Sequence, residues 1–159
     1  LPIAEHDIVA EIGSAPGGSC QMLLEKDFQV IGIDPAQMHA SLLENPNFTH
    51  VRKKVADMRR NGFSNIKWIM SDTSATPNYT LDSVEDIVTR DDVNIRGMLL
   101  TLKLTKWELA KELPLYLDRI RSWGYQYIRT RQLAFNRREI CVAVMKSRAI
   151  RRIKRRRKK

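Results

Sequence analysis

The segment Glu11 to Ser19, EIGSAPGGS, follows an apolar run and opens a helix-forming stretch, and this placement constrains the fold more than any other feature. Gly13, Gly17 and Gly18 stand where a backbone must turn tightly and approach a ligand, with Ser14, Ala15 and Pro16 between them and Ser19 after them. Such strand-to-helix turns lie at the carboxyl ends of parallel strands, where open α/β sheets bind their ligands. An ordinary βα turn does not require three glycines and a proline.

The rest of the chain repeats the alternation. Apolar runs read as strands at Asp7 to Gly13, Gln29 to Asp34, Phe48 to Arg52, Ile66 to Ser71, Gly97 to Leu104, Tyr125 to Arg131 and Ile140 to Lys146. Helices are expected over Ser19 to Lys26, Pro35 to Leu43, Val55 to Asn61, Leu81 to Thr89 and Lys106 to Trp123. In the last of these, Trp107, Leu109, Ala110, Leu113, Leu117 and Ile120 are spaced to form one buried face, and Pro114 can bend or divide it. The short link from Leu133 to Arg138 suits a hairpin between antiparallel strands. The expected architecture is therefore α/β, a Rossmann-like fold with a seven-stranded, mostly parallel sheet and one antiparallel strand near its edge.

The loop also narrows the ligand. It matches neither G-x-G-x-x-G nor G-x-x-x-x-G-K-[ST], because Pro16 stands within it and no lysine follows Gly18 directly, so a diphosphate and a nicotinamide cofactor are disfavoured. S-adenosylmethionine carries no phosphate and needs close backbone approach instead. Asp34, at the end of the second strand, is placed to accept from both ribose hydroxyls of an adenosine ligand. Asp57 after the third strand is a candidate partner for the adenine amino group, or else a stabiliser of a helix's first turn.

Charge points to a partner. Ten of the 28 Lys and Arg residues lie between Lys146 and Lys159, a segment with no acidic residue, and the remaining 18 balance the 18 Asp and Glu. A cationic run of this density gains by displacing counterions from a polyphosphate, which makes RNA or DNA the expected partner, with a solvated end as the other reading, and predicts steep loss of binding with added salt. Arg151, Arg152, Lys154 and Arg155 in this tail, with Arg131, Arg137 and Arg138 around the final hairpin, are the candidate RNA contacts. The tail's composition also fits a nuclear import signal. Cys20 and Cys141 have no metal-ligand spacing, so no metal site is expected and both are read as reduced core residues. No apolar run is long enough for a membrane helix and no basic-then-apolar leader is present, so a cytoplasmic location is expected. The chain divides into a domain over residues 1–146 and a basic tail over 147–159. Leu1 is not an initiator methionine, and residues upstream of it are expected.

Four segments in order, GSAPGGS, WIMSDTSATP, LTLKLTK and RQLAFNRREICVAV, resemble the FtsJ-like RNA ribose 2′-O-methyltransferases, most closely the bacterial branch that modifies a cytidine of large-subunit ribosomal RNA. The resemblance spans roughly Asp7 to Lys146. It implies methyl transfer from S-adenosylmethionine to a ribose 2′-hydroxyl, with Gly13 through Ser19, Asp34, Asp57 and Asp72 around the donor and Asp72, Lys103 and Glu139 around the acceptor. Lys103 is the expected base and the two carboxylates orient it, although their charges also raise its pKa. Two departures stand out. The family's first lysine precedes its glycine loop, and here none of the twelve residues before Gly13 is Lys or Arg. Ser19 occupies a position where relatives commonly carry an aromatic residue. A catalytically silent RNA-binding module is the alternative that the first departure leaves open.

Overall fold

The computed structural model describes residues 4, 6–58, 60–132 and 138–147. Seven strands form one sheet: β1 (Ile8–Ile12), β2 (Gln29–Ile33), β3 (Phe48–Val51), β4 (Ile66–Ser71), β5 (Gly97–Lys103), β6 (Tyr127–Gln132) and β7 (Glu139–Met145). Their order is β3-β2-β1-β4-β5-β7-β6. The pairings among β1 to β5 are parallel, and β7 runs antiparallel to both β5 and β6. The expected mixed sheet with one reversed strand beside its edge is the one observed. The order of strand addition reverses at β1, which has β2 on one side and β4 on the other, and there the carboxyl ends open the crevice that α/β sheets use for ligands.

Both faces of the sheet are packed, as a parallel sheet requires. On one face Ala10, Ile12, Ile69, Leu100, Leu102 and Val142 join a core with α3 (Pro77–Val88), α5 (Leu113–Ser122) and the buried Tyr125. On the other, Val9, Val30, Phe48 and Trp68 pack against α1 (Gly18–Leu24) and the short α2 (Ala40–Leu43). At the amino ends of the strands, Asp7 accepts from Trp68 Nε1 at 2.9 Å and from Arg96 Nη1 at 2.8 Å, tying β1 to β4 and to the entry of β5.

The helix expected over Leu81 to Thr89 begins earlier, at Pro77, and three others differ in kind. The stretch after Asp34 coils only at Ala40–Leu43, because Asp34 Oδ1 takes the Ala36 N–H and the His39 N–H is spent on the Pro16 carbonyl. Val55 to Asn61 forms no α-helix; two 3-10 turns, Val55–Asp57 and Arg60–Phe63, take its place, with Met58 extended after the first. The long helix is divided into α4 (Trp107–Lys111) and α5, since Pro114 lacks an N–H and occupies the first turn of the second piece. That division ends the expected common face. Tyr116 and Ile120 are buried, Leu109, Ala110, Leu113 and Leu117 are half-buried, and Trp107 is 72% exposed.

Candidate active site

The first strand enters the glycine loop through Gly13, whose φ is +77°, a region that costs a residue with a Cβ. A Cβ there would also lie 2.8 Å from the Asp72 carbonyl oxygen and 2.9 Å from Thr73 Cγ2, so the loop and the end of β4 can touch only through glycine. Gly17, with φ +118°, sits on Leu42 and Met38 in the same way, and it precedes the first residue of α1. The Ala15–Pro16 peptide bond is cis.

These elements border a cavity of about 310 Å³ lined among others by Ile12, Gly13, Ala15, Asp34, Ser71 and Asp72. Asp34 spans its entrance: Oδ2 accepts from the Ala15 N–H at 3.2 Å and Oδ1 from the Ala36 N–H at 2.7 Å. A carboxylate has about four acceptor sites, so two backbone bonds leave capacity for hydroxyl groups of a ligand. Ser71 Oγ is buried in the cavity wall without a hydrogen-bond partner, an arrangement that a bound polar ligand would satisfy. A second trough of about 820 Å³, over Phe63 and Ile87, shares Val55 and Ser83 with the lining of this cavity.

Lys103, the last residue of β5, lies beside this cavity's Asp72. Its Nζ is 2.6 Å from Glu139 Oε1 and 3.0 Å from Asp72 Oδ1, and the side chain is only 20% exposed. Sheet register brings them together, because Lys103 and Glu139 are direct partners across the β5–β7 pair and Asp72 follows β4 on the other side of β5. Burial works to lower the pKa of Lys103, but hydrogen bonds to Glu139 and Asp72, with their charges, outweigh it and leave the pKa raised. The amine is therefore an ammonium in this arrangement.

Not every residue singled out from the sequence lines the cavity. Gly13, Ala15, Asp34 and Asp72 do, whereas Ser14, Pro16, Gly17, Gly18 and Ser19 build the loop from behind. Ser14 donates to Met38 Sδ at 3.6 Å, and Ser19 donates to Glu11. Asp57 is exposed and outside the lining, which Lys54 and Val55 supply. Arg131 is exposed on β6, and pairing of Arg131 with Cys141 and of Arg129 with Ala143 places both arginines on the sheet face that carries Glu139 and Lys103. Arg138 is exposed, and its carbonyl accepts from the Leu104 N–H. Arg137, Arg151, Arg152, Lys154 and Arg155 lie outside the described residues. Of the cysteines, Cys20 is buried as expected, while Cys141 is half-buried on the open side of β7. Among the described residues no cluster of His, Cys, Asp and Glu is arranged to hold a metal ion, and no helix is long and apolar enough to cross a membrane.

The sequence reading missed Glu11, which is 1% exposed in β1. Burial pushes its carboxyl above the ordinary value, the hydrogen bonds from Cys20 and Ser19 work against that, and the charge of Asp72 adds to it. It accepts from Cys20 Sγ at 2.8 Å, so one carboxylate holds two residues of the first turn of α1. A carboxylate inside so apolar a run was the available signal.

The sequence pattern of the FtsJ-like methyltransferase family matches residues 2–151. The chain belongs to the FtsJ-like methyltransferase family. No curated protein matches the sequence. Among solved structures, the chain is similar to fibrillarin in its complex with Nop5p, with a TM-score of 0.71 and 11% identity over 90% of this chain and 74% of that one. Aeropyrum pernix fibrillarin with natively bound S-adenosyl-L-methionine gives a TM-score of 0.63 at 11% identity, over 91% and 69%. The 16S rRNA (adenine(1408)-N(1))-methyltransferase of Catenulisporales acidiphilia gives 0.60 at 11% identity, over 93% and 89%. At this identity these likenesses speak for the fold alone. As an FtsJ-like methyltransferase the chain uses S-adenosylmethionine as its methyl donor, and Gly13, Ala15, Asp34 and Ser71 are the residues suited to hold it.

Proposed function

We propose that this chain methylates a ribose 2′-hydroxyl of RNA, with ribosomal RNA as the first substrate to test. The observation that carries the reading is the double position of Asp72, which lines the donor cavity and also ion-pairs with Lys103. A half-buried amine, held between two carboxylates at the edge of a donor cavity, is an arrangement for binding an alcohol and managing its proton. S-adenosylmethionine bound there supplies an activated methyl group. Lys103 contacts the acceptor hydroxyl and takes the proton that it sheds, while Asp72 and Glu139 hold the amine in place. For that work Lys103 must lose the proton it carries in the resting site. That proton passes to solvent before the acceptor is enclosed; exclusion of water from the amine and the positive sulfonium that S-adenosylmethionine carries both favour its loss, while RNA phosphates oppose it.

The RNA acceptor is supported by membership of the FtsJ-like family, by the order of the four family motifs and by the basic tail. Arg129 and Arg131, on the face that leads to Lys103, suit the phosphates of the strand that carries the acceptor. The test is incubation of the full chain with S-adenosylmethionine and bulk ribosomal RNA, followed by digestion to nucleosides and mass analysis. A 2′-O-methylated nucleoside is the expected product. A chain that binds donor and RNA but yields no methylated nucleoside is a binding module, and the proposal fails.

A further inference from the structure

Trp107 stands at the carboxyl-end rim of the sheet, four residues beyond Lys103, with 72% of its surface in water. Four residues span at most about 14 Å, so the backbone of Trp107 stays within that distance of the candidate reaction centre. The other two tryptophans, Trp68 and Trp123, are 2% and 8% exposed. Nothing in α4 is buried; Leu109 and Ala110 pack partly against the core, whereas Trp107 is the exposed large hydrophobic side chain of this helix. Full exposure wastes the large apolar surface of an indole unless a ligand covers it. The preceding crossover repeats the pattern, since Tyr79 in the first turn of α3 is 50% exposed and lines the donor cavity. Lys106 and Lys111 lie on the same short segment as Trp107 and are exposed, against one exposed carboxylate at Glu108.

Resting on the RNA reading given above, we propose that Trp107 is a stacking platform for an unpaired nucleobase beside the acceptor nucleotide, so that the substrate is single-stranded or splayed RNA rather than a regular duplex. Bases offer their faces to aromatic rings only when unstacked, and such contacts tolerate any sequence. Among the described residues, Trp107 and Tyr79 are exposed rings that lie near Lys103 and the donor cavity, while Tyr127 is exposed at the opposite end of the sheet. Lys106 and Lys111 supply the phosphate contacts that accompany the stack.

The experiment uses intrinsic fluorescence, in which Trp107 is the tryptophan that solvent and ligand can reach. The full chain is titrated with a short single-stranded oligoribonucleotide and, separately, with the same strand annealed to its complement, binding being followed in parallel by anisotropy of labelled RNA. We expect emission to be quenched on binding the single strand, iodide to lose access to the indole, and the duplex to bind more weakly. Trp107→Ala should weaken single-strand binding roughly tenfold, with Trp107→Tyr retaining most of the affinity. Trp107→Phe should abolish the quench while keeping much of the binding, and donor affinity in all three variants should match the parent. Unchanged single-strand affinity in Trp107→Ala, or emission that does not move while anisotropy reports binding, overturns the platform and leaves the RNA reading intact. Absence of RNA binding by the parent chain overturns the RNA reading, and the platform with it.

Discussion

Lys103 and Glu139 face each other directly across the antiparallel β5–β7 pair, with Nζ 2.6 Å from Oε1, and Asp72 reaches the same ammonium from the end of β4. The reversed strand thus delivers a carboxylate to the carboxyl-end rim, which parallel strands alone supply only from their own ends and loops. Two carboxylates around one amine favour its protonated form, so the pair holds Lys103 ready but charged.

This relationship makes the pH dependence of methyl transfer predictable. If Lys103 accepts a proton, turnover rises with pH as the amine is uncovered. Removing a negative partner lowers the amine's pKa, so Glu139→Gln should move the pH–rate profile to lower pH, whatever it does to the maximum. Turnover of parent and variant across neutral to alkaline pH is the measurement. A profile that stays in place or moves upward contradicts the assignment of Lys103 as base.

Asp34 gives a prediction about the donor alone. Asp34→Asn keeps the shape but loses charge and acceptor capacity at the cavity entrance, where the carboxylate already holds the Ala15 and Ala36 N–H groups. Hydrogen bonds to charged groups contribute about 1.5–3 kcal/mol, so donor affinity measured by calorimetry should fall roughly tenfold to a hundredfold. RNA affinity should not change.

The contact between loop and β4 can be tested through Gly13. Gly13→Ala places a methyl group against the Asp72 carbonyl and Thr73 in a backbone conformation that alanine resists. A stability loss of about 1–3 kcal/mol follows, seen as a fall in Tm of roughly 3 to 10 °C, together with weaker donor binding. A variant as stable as the parent would show that the loop can shift without cost.

Glu11 links stability to pH. Its folded-state pKa lies above the ordinary carboxyl value, so folding favours the protonated form. Its contribution to stability is therefore greatest below the unfolded value and is lost as the pH rises toward the folded value. Glu11→Gln removes this loss, and the Tm of the variant relative to the parent should climb from acid to neutral pH. A constant difference across that range contradicts the account.

Much of this site was legible because its signals are local. Glycines at Gly13, Gly17 and Gly18 after an apolar run mark a sharp strand-to-helix turn whatever surrounds them, and Asp34 closes the next strand at the distance an adenosine ligand needs. Lys103 is a charge inside an apolar strand, yet its pairing with Glu139 depends on the long-range register of β5 against β7, which residue periodicity does not specify. Trp107 was misplaced because its spacing fits a continuous helix; Pro114 divides that helix, and the first piece turns its indole outward. Of the two readings of Asp57, adenine partner or stabiliser of a helix's first turn, the structure favours the second, since it stands exposed in the first turn of the 3-10 helix after β3. Glu11 escaped notice because its partners, Ser19 and Cys20, come from the far side of the loop, where only the folded chain places them.

The most direct test of the whole account is transfer of a radiolabelled methyl group to RNA by the parent and by Lys103→Ala, with donor affinity measured in the same preparations. We predict label in alkali-resistant dinucleotides, the mark of a methylated 2′-oxygen, for the parent, and a rate about a hundredfold to ten-thousandfold lower for the variant at equal donor affinity. Label found on the bases, or a variant that transfers methyl groups at the parent rate, would contradict it.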